Sequence, residues 1–175
     1  MQRNFETINL HKIQEFIDMG RLVPKPDSFI TMRNLVDCGM ITQAQDGIKI
    51  LAKNKEELRT PIHLEVSCAS TAAIQAVEAA GGTVTAVHFN TLALRALLKP
   101  TNFDILPRRA RPPPKIMPFY LDEAKAGYLS PSIQLRNLEL FGQVTSEETC
   151  RKEHEQLMEL RRRLTRAQRT AGFRR

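Results

Sequence analysis

Between Pro61 and Phe89 the period of the apolar positions changes twice. Ile62, Leu64 and Val66 alternate with His63, Glu65 and Ser67, the period-two pattern of a half-buried strand. Ala73, Ile74 and Val77 then fall three and four apart, one apolar stripe on an alanine-rich helix. Ser70 stands where a hydroxyl accepts a free N–H of the first turn. Gly81-Gly82 ends the helix, since glycine enters the left-handed C′ conformation without a Cβ clash. Thr83 to Phe89 is rich in β-branched residues and returns as a strand. Strand, helix and strand in this order predict a crossover unit.

Three further helices share one entry pattern, an N-cap residue flanked by apolar residues spaced as a hydrophobic staple. Asn9 caps the first, with Ile8 and Ile13 as the staple, Leu10, Ile13 and Ile17 as the buried stripe and Gly20 as the stop. Thr31 caps the second, with Ile30, Leu35 and Gly39 in the same roles. Asn90 caps the third, with Phe89 and Leu94 as the staple and Pro100 after its end. Gly47 to Ala52 reads as a short strand, and Lys53 to Thr60 as a polar loop. The predicted order to residue 98 is helix, helix, strand, strand, helix, strand, helix. That is an α/β body of about a hundred residues, a comfortable size for one core. The shared entry pattern implies short helices pinned to a common core and does not amount to a sequence repeat.

After Lys99 the pattern breaks. Pro107, Pro112, Pro113, Pro114 and Pro118 lack an N–H and fix φ, so this run is predicted to be neither helix nor central strand. It should be extended, with a polyproline-like centre. Periodicity resumes in a weakly amphipathic helix around Ile133 to Phe141, with Leu135, Leu138 and Phe141 on about one face. Thr145 and Glu148 then form a capping box that opens a long helix from Ser146 to Thr170, roughly 35 Å in length. Leu157, Leu160, Leu164 and Ala167 trace a narrow seam along it. The organisation expected is a core at 5–98, an extended basic segment at 99–118, a tail with a short helix at 119–145 and a basic C-terminal helix at 146–175.

Composition sharpens this picture. Of 175 residues, 42% are hydrophobic, but only 6% are aromatic and none is Trp, which points to a small aliphatic core. No apolar run reaches the ~18 residues of a membrane-spanning helix, and no secretory signal precedes the first predicted element. Cys38, Cys68 and Cys150 are odd in number and widely spaced, as expected of reduced thiols in a reducing compartment. The net charge of +7 is unevenly placed. Residues 1–98 carry ten Lys/Arg and ten Asp/Glu; residues 99–117 carry five and one, residues 118–150 two and five, and residues 151–175 nine and three. A neutral body with basic extensions fits a polyanionic partner.

The candidate chemistry follows from that placement. Arg108, Arg109, Arg111 and Lys115, on an extended backbone, suit threading between phosphates; the alternative is a solvated linker. Arg161, Arg162, Arg163, Arg166 and Arg169 cover much of the long helix near its end. They are candidates for RNA contact, with the leucine seam against a neighbouring protein; the alternative is a charged helix with a coiled-coil partner. Ser67, Cys68 and Ser70 follow a strand as a nucleophile elbow does, but the G-x-S-x-G frame is absent. Gly81-Gly82 follows a helix, whereas phosphate loops precede one. Cys150 and His154 share a helix face, yet Met158 stands where a zinc-protease helix needs its second histidine, and two ligands do not close a zinc site. His63 and His88, in predicted strands, read as ordinary surface or satisfied histidines. No catalytic residue, metal site or cofactor is assigned.

The segments INLHKIQEFIDMGRL, ITMRNLVDCGMI, DGIKILA, PIHLEVSCASTAAIQAVEAAGGTVTAV and RARPPPKIMPFYLDEAKAGYLSP, in that order, resemble the ribosomal protein L-fifteen family of the large subunit. The ending PFYLDEAKAGYLSP is similar to the mitochondrial branch. The resemblance covers about residues 5–140. It implies an irregular superhelix of strand-strand-helix turns in place of a doubly wound nucleotide-binding sheet. It also implies a structural, non-catalytic protein bound to large-subunit ribosomal RNA and neighbouring ribosomal proteins, and located in the mitochondrial matrix. That location rests on the resemblance alone, since no transit peptide pattern is evident. Members usually begin with a Gly/Arg/Lys-rich arm, and the helix at 146–170 matches no family element. Two alternative readings are an RNA-binding assembly factor and a small α/β nucleotide-binding enzyme built on residues 61–89.

Overall fold

A computed structural model describes residues 3–172, with side chains over 3–166. The described residues hold six short strands, all parallel, in two three-stranded sheets. One sheet has the order β1 (Glu6–Asn9), β3 (Ile48–Leu51), β5 (Cys68–Ala69); the other has the order β2 (Ile30–Thr31), β4 (His63–Val66), β6 (Thr83–Ala86). Successive strands therefore alternate between the sheets, and the chain winds around both. Parallel neighbours cannot be joined by a tight turn. Here each return path carries the chain through the other sheet, and β4 passes into β5 across Ser67 alone. This is the mixed α/β superhelix expected, with α1 (Leu10–Asp18), α2 (Met32–Asp37), α3 (Thr71–Ala79) and α4 (Thr91–Leu98) between and after the strands.

The predicted crossover forms, because β4 and β6 pair in parallel with Leu64 opposite Val84 and α3 joins them by way of β5. The two glycines divide the work. Gly81 takes φ +81° and ends α3, while a Cβ on Gly82 would stand 2.1 Å from the Ile62 carbonyl oxygen. Ser70 Oγ accepts the Ala73 N–H at 3.3 Å, and Asn90 Oδ1 accepts that of Ala93 at 2.8 Å. At the start of α2 the Thr31 N–H donates to Asn34 Oδ1 at 2.9 Å. Asn9 precedes α1 in extended conformation and makes no side-chain cap bond. α1 buries Leu10, Ile13 and Phe16, with Ile17 only partly covered. It also buries Gln14, whose Oε1 accepts the Arg59 and Thr60 N–H groups and so ties down the 53–60 loop. Leu10, Ile13, Leu35, Ile48, Ile50, Ile62, Leu64 and Val84 form the centre of the core.

Several expectations are corrected. Strands β1, β2 and β5 are absent from the sequence reading; the two residues each of β2 and β5 carry no period, the four of β1 run directly into α1, and the pairing of all three comes from distant partners. Of the three polar positions of the alternation only His63 is partly exposed; Glu65 of β4 and Ser67 just after it do not face solvent, each being 1% exposed. The C-terminal part covers them. Residues 103–113 run without helix or strand, bending at 104–105, then α5 (Met117–Leu121) forms with Pro118 in its first turn. The Ala86 N–H donates to the Ala126 carbonyl at 2.7 Å and the Tyr128 N–H to the Ala86 carbonyl at 3.0 Å, which fixes the tail to the edge of β6. α6 (Pro131–Phe141) buries Ile133 and Asn137, the latter donating to Thr85 Oγ1 at 3.0 Å and to the Val144 carbonyl at 2.8 Å. The face expected to be buried points outward at Leu135 and Leu138; of that set, Phe141 packs on Phe29 and His63. α7 (Glu147–Gly172) begins after Ser146, one residue later than a Thr145 cap requires.

Candidate nucleic-acid interface

The basic residues of the extended segment do not behave alike. Arg109 turns inward, its side chain 11% exposed, and donates from Nη2 to Glu65 Oε1 at 2.8 Å and to Ser146 Oγ at 3.1 Å. Ser146 completes the cluster by donating its N–H to Glu65 Oε2 at 2.6 Å and its hydroxyl to Oε1 at 2.8 Å. The guanidinium lies 4.6 Å from the Phe89 ring centroid, a cation–π contact. One carboxylate of β4 thus holds the extended segment and the entry of α7 together. A buried carboxylate needs hydrogen-bond donors at both oxygens, and Arg109 and Ser146 supply them.

His88 makes a second fastening. Its Nδ1 donates to the Ala110 carbonyl at 3.3 Å, which leaves Nε2 to accept from Arg3 Nη2 at 2.9 Å. Only the neutral ring satisfies both partners. Burial lowers its pKa most, the Ala110 bond works the other way, and the Arg3 charge lowers it further. Of the two roles expected for it, surface or satisfied, His88 takes the second and serves as a clip between the core, the N-terminal segment and residue 110.

Arg108, next to the anchored Arg109, faces outward. Together with Arg151 and Arg162 it lines a groove of about 660 Å³ between residues 104–108 and α7. Two segments distant in sequence therefore present cations to one trough. Asp104, Glu155 and Glu159 also line it, as do Met158 and Leu106. At the groove's end His154 is 6% exposed, and its Nε2 donates to the Asp104 carbonyl at 3.4 Å. Cys150 lies on the same face, and its thiol pKa is raised by burial first and by the Glu65 charge next. Among the described residues no three His, Cys, Asp or Glu side chains cluster as a metal site, and no helix is long and apolar enough to cross a membrane.

Arg111 and Lys115 are exposed on the extended segment. Arg161 reaches the Thr101 carbonyl at 3.5 Å, Arg163 pairs with Glu159 one turn earlier at 2.5 Å, and Arg162 and Arg166 are exposed. The Arg169 side chain lies outside the described residues. The seam residues Leu157, Leu160 and Leu164 are 38%, 59% and 64% exposed, while Ala167 lies outside the described side chains. Sequence reasoning missed Glu65, Ser146 and Arg151. Glu65 looked like one polar position of an alternating strand, and no local signal marks a partner forty-four residues away.

Comparison with known proteins places these features. Residues 7–85 match the family described as ribosomal proteins 50S-L15 and 50S-L18e together with their 60S counterpart. The chain is 38% identical over 132 residues to the large ribosomal subunit protein uL15m of Schizosaccharomyces pombe, covering 75% of this chain and 51% of the relative. It is 30% identical over 135 residues to uL15m of Danio rerio, covering 74% and 46%. It is 41% identical over 81 residues to the large ribosomal subunit protein uL15 of Paracoccus denitrificans, covering 46% and 48%. The chain spans about half the length of these relatives. The matched region spans nearly all of the two alternating parallel sheets, and on this sequence similarity the chain belongs to the L15 family of large-subunit ribosomal proteins, alongside its mitochondrial members.

Proposed function

We propose that this chain is a structural constituent of the mitochondrial ribosome's large subunit, in the matrix, and that it stabilises large-subunit ribosomal RNA without catalysing a reaction. In this reading residues 5–98 form the body that Glu65 and His88 use to hold the extension. Arg108, Arg111 and Lys115 on 99–118, and Arg162 and Arg166 on 146–175, meet RNA phosphates. Arg109 is withdrawn from that set as an internal anchor, and Arg161 and Arg163 act at the margin. The leucines of α7 face a neighbouring large-subunit protein.

The observation that carries the proposal is the trough in which Arg108 and Arg162 converge. Guanidinium groups offer paired donors to phosphate and need no base sequence for it. The serines that follow β4 have structural occupations: Ser67 Oγ donates to Met32 Sδ at 3.4 Å, and Ser70 caps α3.

The test has two parts. Tagged protein from a mitochondrial lysate should sediment with the large subunit and leave that position after RNase treatment. Arg108→Gln and Arg162→Gln together should lower the slope of log K against log salt for structured RNA by up to roughly 0.9 per lost duplex contact. Sedimentation at the top of the gradient with and without RNase would refute the reading.

A further inference from the structure

On another side of the body, away from the α7 trough, lies a cleft of about 560 Å³ with a different lining. Phe119 and Tyr120 of α5 and Phe5 near β1 form aromatic walls, and the start of α3 at Ser70 and Thr71 closes one end. Arg3, Lys49 and Lys125 stand around it, and no carboxylate of the described residues lines it. The trough at α7 mixes three acidic side chains with its arginines; this cleft is cationic only.

The details fix what each group offers. Lys49 sits in register between Thr7 and Cys68 on the sheet. Lys125 Nζ lies 5.3 Å from the Phe119 centroid and 3.4 Å from Asp122 Oδ2. Phe119 meets Tyr120 edge to face at 5.0 Å and is itself only partly buried, so its ring is reachable from the cleft. Tyr120 is wall and not ligand: its hydroxyl points to the Ser67 carbonyl at 3.4 Å, and burial pushes its pKa up to about 12. At the start of α3 the Ala73 N–H is already taken by Ser70, so the amides of Thr71 and Ala72 are what that end offers an anion.

An aromatic surface beside cations, with no carboxylate in the lining, matches a flat π system that carries a negative charge. Base-on-aromatic stacking tolerates any base, because each has a π face. The size falls in the range of about 300–1,000 Å³ usual for small-molecule pockets. Resting on the RNA-binding reading above, we infer that this cleft receives one unpaired nucleotide of the bound RNA, its base against Phe119 and its phosphate toward Lys49 and Lys125. Duplex RNA keeps its bases stacked inside and has none to offer here. The chain would then contact RNA in two ways, by phosphate at the trough and by an extruded base at the cleft.

The experiment measures fluorescence anisotropy of the full chain with a labelled single-stranded RNA octamer, a blunt RNA duplex, and AMP as competitor. Phe119→Leu should weaken octamer binding roughly five- to 140-fold, the range for losing one stacked base. Phe119→Trp should restore it. Lys49→Gln, on the sheet face, should reduce the salt slope for the octamer by roughly 0.7. Duplex binding should not change in any of the three, and Arg108→Gln should weaken it. Octamer binding equal to wild type in Phe119→Leu and Lys49→Gln, with Arg108→Gln still impaired, would overturn the cleft and leave the ribosomal reading intact. Equal loss for octamer and duplex in Phe119→Leu would also overturn it. AMP binding as tightly as the octamer would mean a free-nucleotide site and overturn the RNA assignment. Absence of binding to either RNA would instead defeat the ribosomal reading.

Discussion

Replacing Arg109 by Ala tests the internal anchor most directly. The substitution leaves Glu65, whose side chain is 0% exposed, without its cation. Removing one partner of a buried ion pair costs about 3–5 kcal/mol, since the remaining charge stays desolvated. Ser146 still gives two hydrogen bonds to the carboxylate, at 2.6 and 2.8 Å, which argues for the lower end of that range. For a chain of this size about 3 kcal/mol corresponds to a fall in Tm of roughly 6–12 °C. Thermal and urea unfolding followed by far-UV circular dichroism would read it. The sign of a second substitution carries more information than the first magnitude. Glu65→Gln should destabilise the wild type, whose Arg109 then keeps only the Glu147 carboxylate, 3.9 Å away, but should stabilise the Arg109→Ala background, where it removes the stranded carboxylate. A cost below about 0.5 kcal/mol for Arg109→Ala, or additive effects in the double variant, would refute the reasoning. The folded Arg109→Ala protein should also keep the salt slope of wild-type RNA binding, in contrast to Arg108→Gln.

Further expectations concern other parts of the fold. Gly82→Ala should cost about 3 kcal/mol or more, because its Cβ would meet the Ile62 backbone; Gly142→Ala, at φ +65° in open space, should cost only about 1–2 kcal/mol for the left-handed backbone, and the two midpoints in urea compare them. His88 and His63 both have pKa values lowered from 6.5, chiefly by burial. The unfolded chain therefore binds protons that the folded one refuses, so stability is full above pH 6.5 and declines as pH falls below it. His88→Asn should flatten that decline in denaturation midpoints between pH 7 and 5. Leu160→Gln with Leu164→Gln should leave the stability of the isolated chain, read by urea unfolding, within about 0.5 kcal/mol of wild type, since both side chains are exposed. A large loss would show that the seam already has a partner.

Much of the architecture was legible from local signals. Ser70 and Asn90 cap the helices they were expected to cap, and Gly20, Gly39 and Gly81 take positive φ where stops were predicted. These features depend on residues within a turn or two of one another. What escaped were features decided at a distance. β1 exists because β3 lies beside it, and the two residues of β5 because β3 has a second edge. Leu135 and Leu138 carry a helical period yet face outward, because the buried polar Asn137 and the neighbouring Arg136 hold α6 by hydrogen bonds to Thr85 and Val84.

The candidate site divides in the same way. Composition and spacing marked 108–115 and 161–169 as basic, and a count of charges suffices for that. Nothing local distinguishes Arg108 from Arg109. The sequence by itself determined the caps at Ser70 and Asn90, the glycine stops, the crossover at 61–89, and the neutral and basic stretches of the chain, because each depends on short-range sterics or on composition. Only the tertiary structure decided that Glu65 is buried, that Arg109 belongs to it, and that Arg108 and Arg162 share a trough. The physical reason is that a carboxylate's environment is set by what packs over it, and here that cover arrives from residues far down the chain.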